Sequence, residues 1–261
     1  MTPTFVEEAR VRELVSLHEV IDALEDVLAR EAEGQADNIA KTMATWDLGS
    51  SAHALGGVDL VEGLVAFKTW VNTPRGAQAV LTLHDSRDGT VHAVIEATLL
   101  GSQRTAAISG LATRWMADPA ADELAVIGSG RQALRQVQAV AAVRPLRRIR
   151  VWSPTPENRE DFAVQVQETT GMETVAAQSL DEATRGAPVV TLVTRAREPF
   201  LRREHLAPGA HLNAVGALLP ANAEFEPALL ADADLVVVDS VENARRSSKR
   251  DARHLLGRVD R

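Results

Sequence analysis

The sequence of 261 residues is 45% apolar and 25% charged, with a formal charge of −8; that is enough apolar chain for one large core or two modest ones. The acidic balance excludes a general nucleic-acid binder, which needs a basic face. The absence of cysteine excludes a disulfide framework, a thiolate nucleophile and the usual structural zinc sites, and aromatics at 3% with no tyrosine leave no stacking platform and no tyrosine acid.

The start, MTPTFVEEARVRELV, lacks the basic-then-apolar pattern of a signal peptide, and no apolar run approaches the roughly 18–20 residues of a membrane span. A cytoplasmic protein that touches neither membrane nor nucleic acid is the expectation. The first clear helix opens at Ser16, where Ser16-Leu17-His18-Glu19 has capping-box spacing; Val20, Ile21, Leu24, Val27 and Leu28 then share a face up to Gly34. Residues 35–75 read as irregular, with the pair Gly56-Gly57 and one short apolar strand, Leu64–Phe67. A hairpin follows, Ala79–His84 and Val91–Ile95, about a turn ending in Asp88-Gly89, where glycine tolerates positive φ. The alanine-rich stretch Arg104–Met116 reads as a helix.

From Glu123 the rhythm changes. Leu124–Gly128, Arg148–Trp152, Thr174–Ala177, Pro188–Val193, His211–Val215 and Leu235–Asp239 read as strands, with helical segments at 131–142 and Glu157–Thr169 between the first three. Apolar strands alternating with helices mean a parallel sheet covered on both faces. The chain is therefore predicted to be α/β: an α+β domain over 1–117, a Rossmann-type doubly wound parallel sheet over 118–242, and a C-terminal segment over 243–261.

Gly128-x-Gly130-x-x-Ala133 stands between a predicted strand and a predicted helix. The first glycine permits the tight turn and the second lets backbone approach a pyrophosphate; the small third residue lets helix and strand pack, with the helix N-terminus facing the phosphates. Small residues also occur in such turns for packing alone, so it is the strand–turn–helix setting that makes the dinucleotide reading. An acidic residue about 20 positions on would bind the ribose hydroxyl of NAD. The strand Arg148–Trp152 runs instead into Ser153-Pro154-Thr155, with two hydroxyls and no carboxylate, which tilts the cofactor toward NADP, with NAD as the other choice. Arg131 or Arg159 is available to meet the extra phosphate, although solvation is the simpler role for Arg159. His84, His92 and His205 could be imagined as acid–base groups, but His84 and His92 read as surface positions; Asp239 reads as a helix cap, Thr191 as a strand residue and Thr194 as a cofactor contact. No His–carboxylate pair has metal spacing.

Three cations remain: Lys41 in the irregular segment, Lys68 after the strand Leu64–Phe67, and Arg104 opening its helix. Spacing alone leaves two readings, solvated surface charges or a cationic cluster. Phe67-Lys68, Arg104-Thr105-Ala106-Ala107 with Ser109 and Ala112-Thr113, Leu124–Ala133, Pro208–Gly216, Pro220, Glu224 and Val236–Ser240 occur in an order that resembles the ornithine cyclodeaminase/μ-crystallin family, from about Ser16 to Ala244. The resemblance implies that the first domain binds substrate and forms a homodimer, that the second carries NAD or NADP, and that the substrates are α-amino acids or their cyclic imines. It assigns Arg104 to the substrate carboxylate, Lys68 to a place beside the reacting carbon, and Lys41 to the position of a second carboxylate-binding arginine. It puts Thr105 on a cofactor phosphate, and the expected cofactor contacts are Thr105, Gly128, Gly130, Arg131, Gln132, Ala133, Ser153, Thr155, Thr194, Ala214 and Val215.

Two departures bear on the reaction. Cyclodeaminases of the family carry an aspartate in the segment that here reads Asn213-Ala214-Val215-Gly216, and Val215 can neither accept a proton nor hold an ammonium. The segment resembles the ketimine reductase branch, so the expected activity is NAD(P)H-dependent reduction of a small imino acid. An amino-acid dehydrogenase or an ornithine/lysine cyclodeaminase, and a non-catalytic nucleotide-binding protein, remain the alternatives. Relatives also continue beyond the last Rossmann strand with helices that return to the first domain, whereas this sequence stops at Arg261 after the basic run Arg245–Arg250, read as a solvated helix face.

Overall fold

The computed structural model describes residues 2–47, 49–217, 221–241 and 244. The chain separates into two compact units, residues 1–107 and 108–261. The expected boundary at 117/118 falls at the end of the helix whose residues straddle that division.

The first unit begins with β1 (Thr4–Val6), α1 (Glu8–Leu14) and α2 (Leu17–Ala32). The Ser16 capping box is present in full: the Glu19 N–H donates to the Ser16 hydroxyl, and the Ser16 N–H donates to the Glu19 carboxylate at 2.8 Å. Beyond it the expectation of irregular chain is overturned. Residues 35–75 form β2 (Ala36–Trp46), β3 (Ser50–Asp59) and β4 (Leu64–Thr73), which continue into β5 (Gly76–Asp85) and β6 (Val91–Glu96). The six strands pair in the order β1-β6-β5-β4-β3-β2, antiparallel except for the parallel pair β1–β6. Gly56 and Gly57, which suggest a loop, lie inside β3. A Cβ on Gly56 would stand 2.6 Å from the Ala66 carbonyl and 2.9 Å from Phe67, so the glycine permits close strand approach instead of a turn.

Helix α3 (Thr98–Met116) opens six residues before the expected start. Its first turn is capped from far along the chain, since the Thr98 N–H donates to Glu8 Oε2 at 3.2 Å and the Leu99 N–H donates to Glu8 Oε1. The Glu8 N–H in turn donates to Glu96 at 2.7 Å. An anion at a helix N-terminus satisfies free amides and meets the positive end of the dipole.

The second unit is a five-stranded parallel sheet of β7 (Glu123–Ile127), β8 (Arg148–Trp152), β9 (Glu173–Ala176), β10 (Val189–Leu192) and β11 (His211–Ala214), ordered β11-β10-β7-β8-β9. Read from β9 this is the 3-2-1-4-5 order of a dinucleotide-binding sheet, with its reversal between β7 and β10. Leu124 and Val126 enter one apolar cluster with Val137 and Val140 of α4 (Ala133–Ala141) and Phe162 and Val166 of α5 (Pro156–Thr170). Ala125 and Ile127 enter the other, with Ala183 of α6 (Leu180–Thr184) and Leu229 of α7 (Ala228–Asp232). Alternate residues of β7 thus serve opposite layers, as a sheet covered on both faces requires. The predicted strand Leu235–Asp239 does not form. Leu235 and Val237 are exposed, so the burial that would favour a sixth strand is missing.

Candidate active site

Strand β4 alternates between half-buried and exposed residues. Ala66, Lys68 and Trp70 share the half-buried face; Phe67, Thr69 and Val71 share the exposed one. Lys68 therefore lies in mid-strand, opposite Leu55 of β3 and Leu81 of β5, and not after a strand end. Lys41 is likewise within β2 rather than in an irregular segment, and Arg104 sits in the second turn of α3 instead of opening it. Two of these cations meet over one indole, and Arg104 is near enough for its charge to act on Lys68. Lys68 Nζ is 4.8 Å and Lys41 Nζ 5.4 Å from the Trp70 ring centroid, within cation–π range. Burial lowers the Lys68 pKa, and the charges of Arg104 and then Lys41 lower it further. A Cβ on Gly101 of α3 would overlap the Lys68 ammonium, so the glycine makes room for it.

His53 completes the arrangement. Its ring stacks on Trp70 at 4.6 Å and 8°, and Nε2 lies 2.8 Å from the Ser51 hydroxyl. Burial and then Lys41 lower its pKa, which favours the neutral imidazole. Trp70 and His53 escape sequence reading because they face one another only through the β3–β4 register. Chemically, three cations at one wall make a seat for a small anion such as a carboxylate, for which a guanidinium is geometrically suited. The Thr105 hydroxyl, from the same helix as Arg104, donates to the Gly101 carbonyl at 3.0 Å.

In the second unit, Gly128 leaves β7 with φ +119°, and its N–H donates to the Trp152 carbonyl at 2.8 Å. A Cβ there would stand 2.7 Å from the Val193 carbonyl oxygen, so the exits of β7 and β10 approach as closely as backbone allows. At Gly130 a Cβ would meet nothing within 4 Å, which leaves that backbone open to a ligand. Gln132 stands at the N-cap of α4 without a side-chain cap bond, its first turn holds no acidic residue, and Ala133 is fully buried against the sheet. Open backbone, uncapped amides and a buried small residue suit a pyrophosphate at a helix N-terminus, so the residues fit a dinucleotide. Arg131 is exposed beside the turn.

At the exit of β8, Ser153 is buried and its hydroxyl donates to the Thr155 carbonyl at 3.3 Å; exposed Thr155 is the N-cap of α5, followed by Pro156. Arg159 is not a solvated charge: it is 7% exposed and donates to Gln178 Oε1 at 2.8 Å and to the Ser153 carbonyl at 3.4 Å. Its guanidinium braces the β8 exit loop from below. Thr194 follows β10, and both its N–H and its hydroxyl donate to Glu224. Ala214 ends β11 exposed, while the Val215 N–H donates to the Leu192 carbonyl at 2.9 Å. Thr191 is fully buried in β10, 3.5 Å from the Asn213 amide nitrogen, which also donates to the Thr113 hydroxyl at 3.0 Å. Among the described residues no group of three His, Asp or Glu could hold a metal ion, and no helix is long and apolar enough to cross a membrane. Pro220 and the run Arg245–Arg250 lie outside the described residues.

A family model described as the ornithine cyclodeaminase/mu-crystallin family matches residues 1–252. A ketimine reductase mu-crystallin of Rattus norvegicus is 37% identical over 171 residues, 66% of this chain and 53% of its own length. A Delta(1)-pyrroline-2-carboxylate reductase of Bacillus cereus is 34% identical over 165 residues, 63% of this chain and 50% of its own. The chain thus spans about half the length of the curated relatives it matches. The structure of Thermococcus litoralis Delta(1)-pyrroline-2-carboxylate reductase in complex with NADH and L-proline matches with a TM-score of 0.89 at 26% identity, covering 98% of this chain and 82% of that one.

Proposed function

The chain belongs to the ornithine cyclodeaminase/mu-crystallin family, and we propose that within it the protein is an NAD(P)H-dependent reductase of small imino acids. The observation that carries this reading is the pair Lys68 and Lys41 over Trp70 on a partly buried sheet face, with the charge of Arg104 from α3 acting on Lys68. The relatives named for reductases of ketimines and pyrroline-2-carboxylate, and the solved neighbour holding NADH and L-proline, support it. Arg104 and Lys41 hold the carboxylate of the imino acid, the guanidinium by a two-point contact. Lys68 orients the imine beside it and holds a proton at Nζ for the imine nitrogen, a role its lowered pKa favours. A bound nicotinamide supplies the hydride equivalent that no side chain of this chain carries. Gly128, Gly130, Arg131, Gln132 and Ala133 hold its phosphates, while Thr105, Ser153, Thr155, Thr194, Ala214 and Val215 serve as the further contacts.

Between the two nicotinamide cofactors we favour NADPH. The β8 exit offers the Ser153 and Thr155 hydroxyls and no carboxylate to repel a 2′-phosphate, and exposed Arg131 is the cation for it, since Arg159 is committed to Gln178. We further infer a homodimer that pairs through the exposed face of the first sheet. Phe67, Val71 and Val80 are 38–45% exposed there, and Trp46 of β2 lies on the same face, an apolar set suited to a second copy.

The test is to follow absorbance of the reduced cofactor with NADPH and NADH in turn, on Δ1-pyrroline-2-carboxylate and Δ1-piperideine-2-carboxylate. Oxidation of cofactor is expected, with Arg104→Ala raising KM and Lys68→Ala lowering kcat about a hundredfold or more. Nucleotide binding without turnover on any imine would leave a non-catalytic binding protein, and ammonia release from ornithine or lysine would restore a cyclodeaminase.

A further inference from the structure

Glu224 is a carboxylate that the proposed reaction does not use, yet it is 1% exposed and gathers donors from two separate strand exits. From the exit of β10, the Thr194 N–H donates to Oε1 at 2.6 Å and the Thr194 hydroxyl to the same oxygen at 2.8 Å. From the exit of β11, the Gly216 N–H donates to Oε2 at 2.8 Å, and the Ala217 N–H adds a further backbone bond. Gly216 has no room for a side chain: a Cβ would overlap Thr194 and stand 2.5 Å from Glu224 Oε1. Glu224 is itself anchored, because its carbonyl accepts from the Phe200 and Leu201 amides at 3.2 and 3.0 Å, and the neighbouring Ala223 N–H donates to Ala196 at 2.9 Å.

We propose that Glu224 is a positioning residue for the nicotinamide half of the cofactor site, fixing the spacing between the segments that leave β10 and β11. This rests on the dinucleotide reading of the Gly128–Ala133 turn. In a sheet of this order one half of the dinucleotide lies on the β7–β8–β9 side of the reversal and the other on the β10–β11 side. Glu224 acts on the second side alone. All four of its partners are donors, which calls for an acceptor-only group. A glutamine of the same shape would turn an NH2 against the donors of one carboxylate oxygen and so break that side of the clamp. Core packing alone would be served at lower cost by an apolar residue, since an ionised carboxylate is expensive to bury. Burial indeed raises the Glu224 pKa, and the bonds from Thr194, Gly216 and Ala217 oppose that rise.

The experiment compares NADH with ADP, which occupies only the β7–β8 side, by calorimetric titration of the full chain, wild type and Glu224→Gln. NADH affinity is expected to fall about tenfold, equivalent to about 1.4 kcal/mol, with ADP affinity unchanged. Thr194→Val, which removes one of the four donors and keeps the fold, should give a smaller loss in the same direction. An equal loss for both nucleotides, or a lower melting temperature with unchanged NADH affinity, would mean a purely structural role and overturn the proposal. Wild-type chain that binds neither these nucleotides nor NADPH would overturn the cofactor reading itself, and the proposal with it.

Discussion

Lys68 carries a charge that its surroundings oppose in three ways, through burial, through Arg104 and through Lys41. The folded chain therefore binds this proton more weakly than the unfolded chain does, and the charge costs stability at neutral pH. The sign follows from linkage: the cost is full below the lowered pKa and vanishes as pH rises toward the ordinary value of 10.5. Lys68→Met should therefore melt higher than wild type near pH 7, with the gap closing in alkaline buffer. A gap that widened with pH would show that Lys68 is stabilised in the folded chain. A cation kept where it costs stability is what an anion-binding site requires, because the incoming carboxylate supplies the missing counter-charge.

Elements announced by local chemistry stand where the sequence puts them. The Ser16 capping box starts α2, and the apolar run of β7 ends at the Gly128 turn, because capping and burial on both sheet faces are decided within a few residues. Elements fixed from a distance do not. The start of α3 depends on Glu8, ninety residues away along the chain. The far end of α3 depends on Arg144, whose guanidinium donates to the carbonyls of Thr113, Arg114 and Ala117 at 2.6, 3.0 and 2.7 Å. The Thr113 carbonyl also accepts the Ala117 N–H at 3.1 Å, so the arginine, 9% exposed, adds its donors to the last turn of the helix. Arg144→Met should lower the unfolding free energy by on the order of 3 kcal/mol, read from denaturant titration. A midpoint that did not move would mean the carbonyls find other donors. The strands β2 and β3 were hidden for a related reason: alanine, glycine and serine fill much of β3, so the apolar alternation that marks a strand is weak until its neighbours pair with it.

For the whole molecule the exposed side of the first sheet is the decisive surface. Val71 is 45% exposed in mid-strand, with Phe67 and Val80 on the same face. A charge set there should repel a second copy without disturbing the half-buried face that holds Lys68 and Trp70. Sedimentation of Val71→Lys should therefore give a monomer where the wild-type chain gives a dimer, with the melting transition of the monomer little changed. Wild-type chain that sediments as a monomer would reject the pairing.

By itself the sequence determined that an α+β unit precedes a parallel α/β one and that a glycine turn joins strand to helix at Gly128–Ala133, since period, apolar runs and glycine spacing are properties of neighbours in the chain. It also marked Lys41, Lys68 and Arg104, though as three separate charges. Tertiary structure alone decided that the two lysines meet over Trp70 with Arg104 acting on Lys68, that His53 stacks beside them, that Arg159 is buried and that Glu224 joins two strand exits. The physical reason is the same in each case. A strand register or a buried hydrogen bond joins residues far apart in sequence, and no local propensity records which partner the fold will bring.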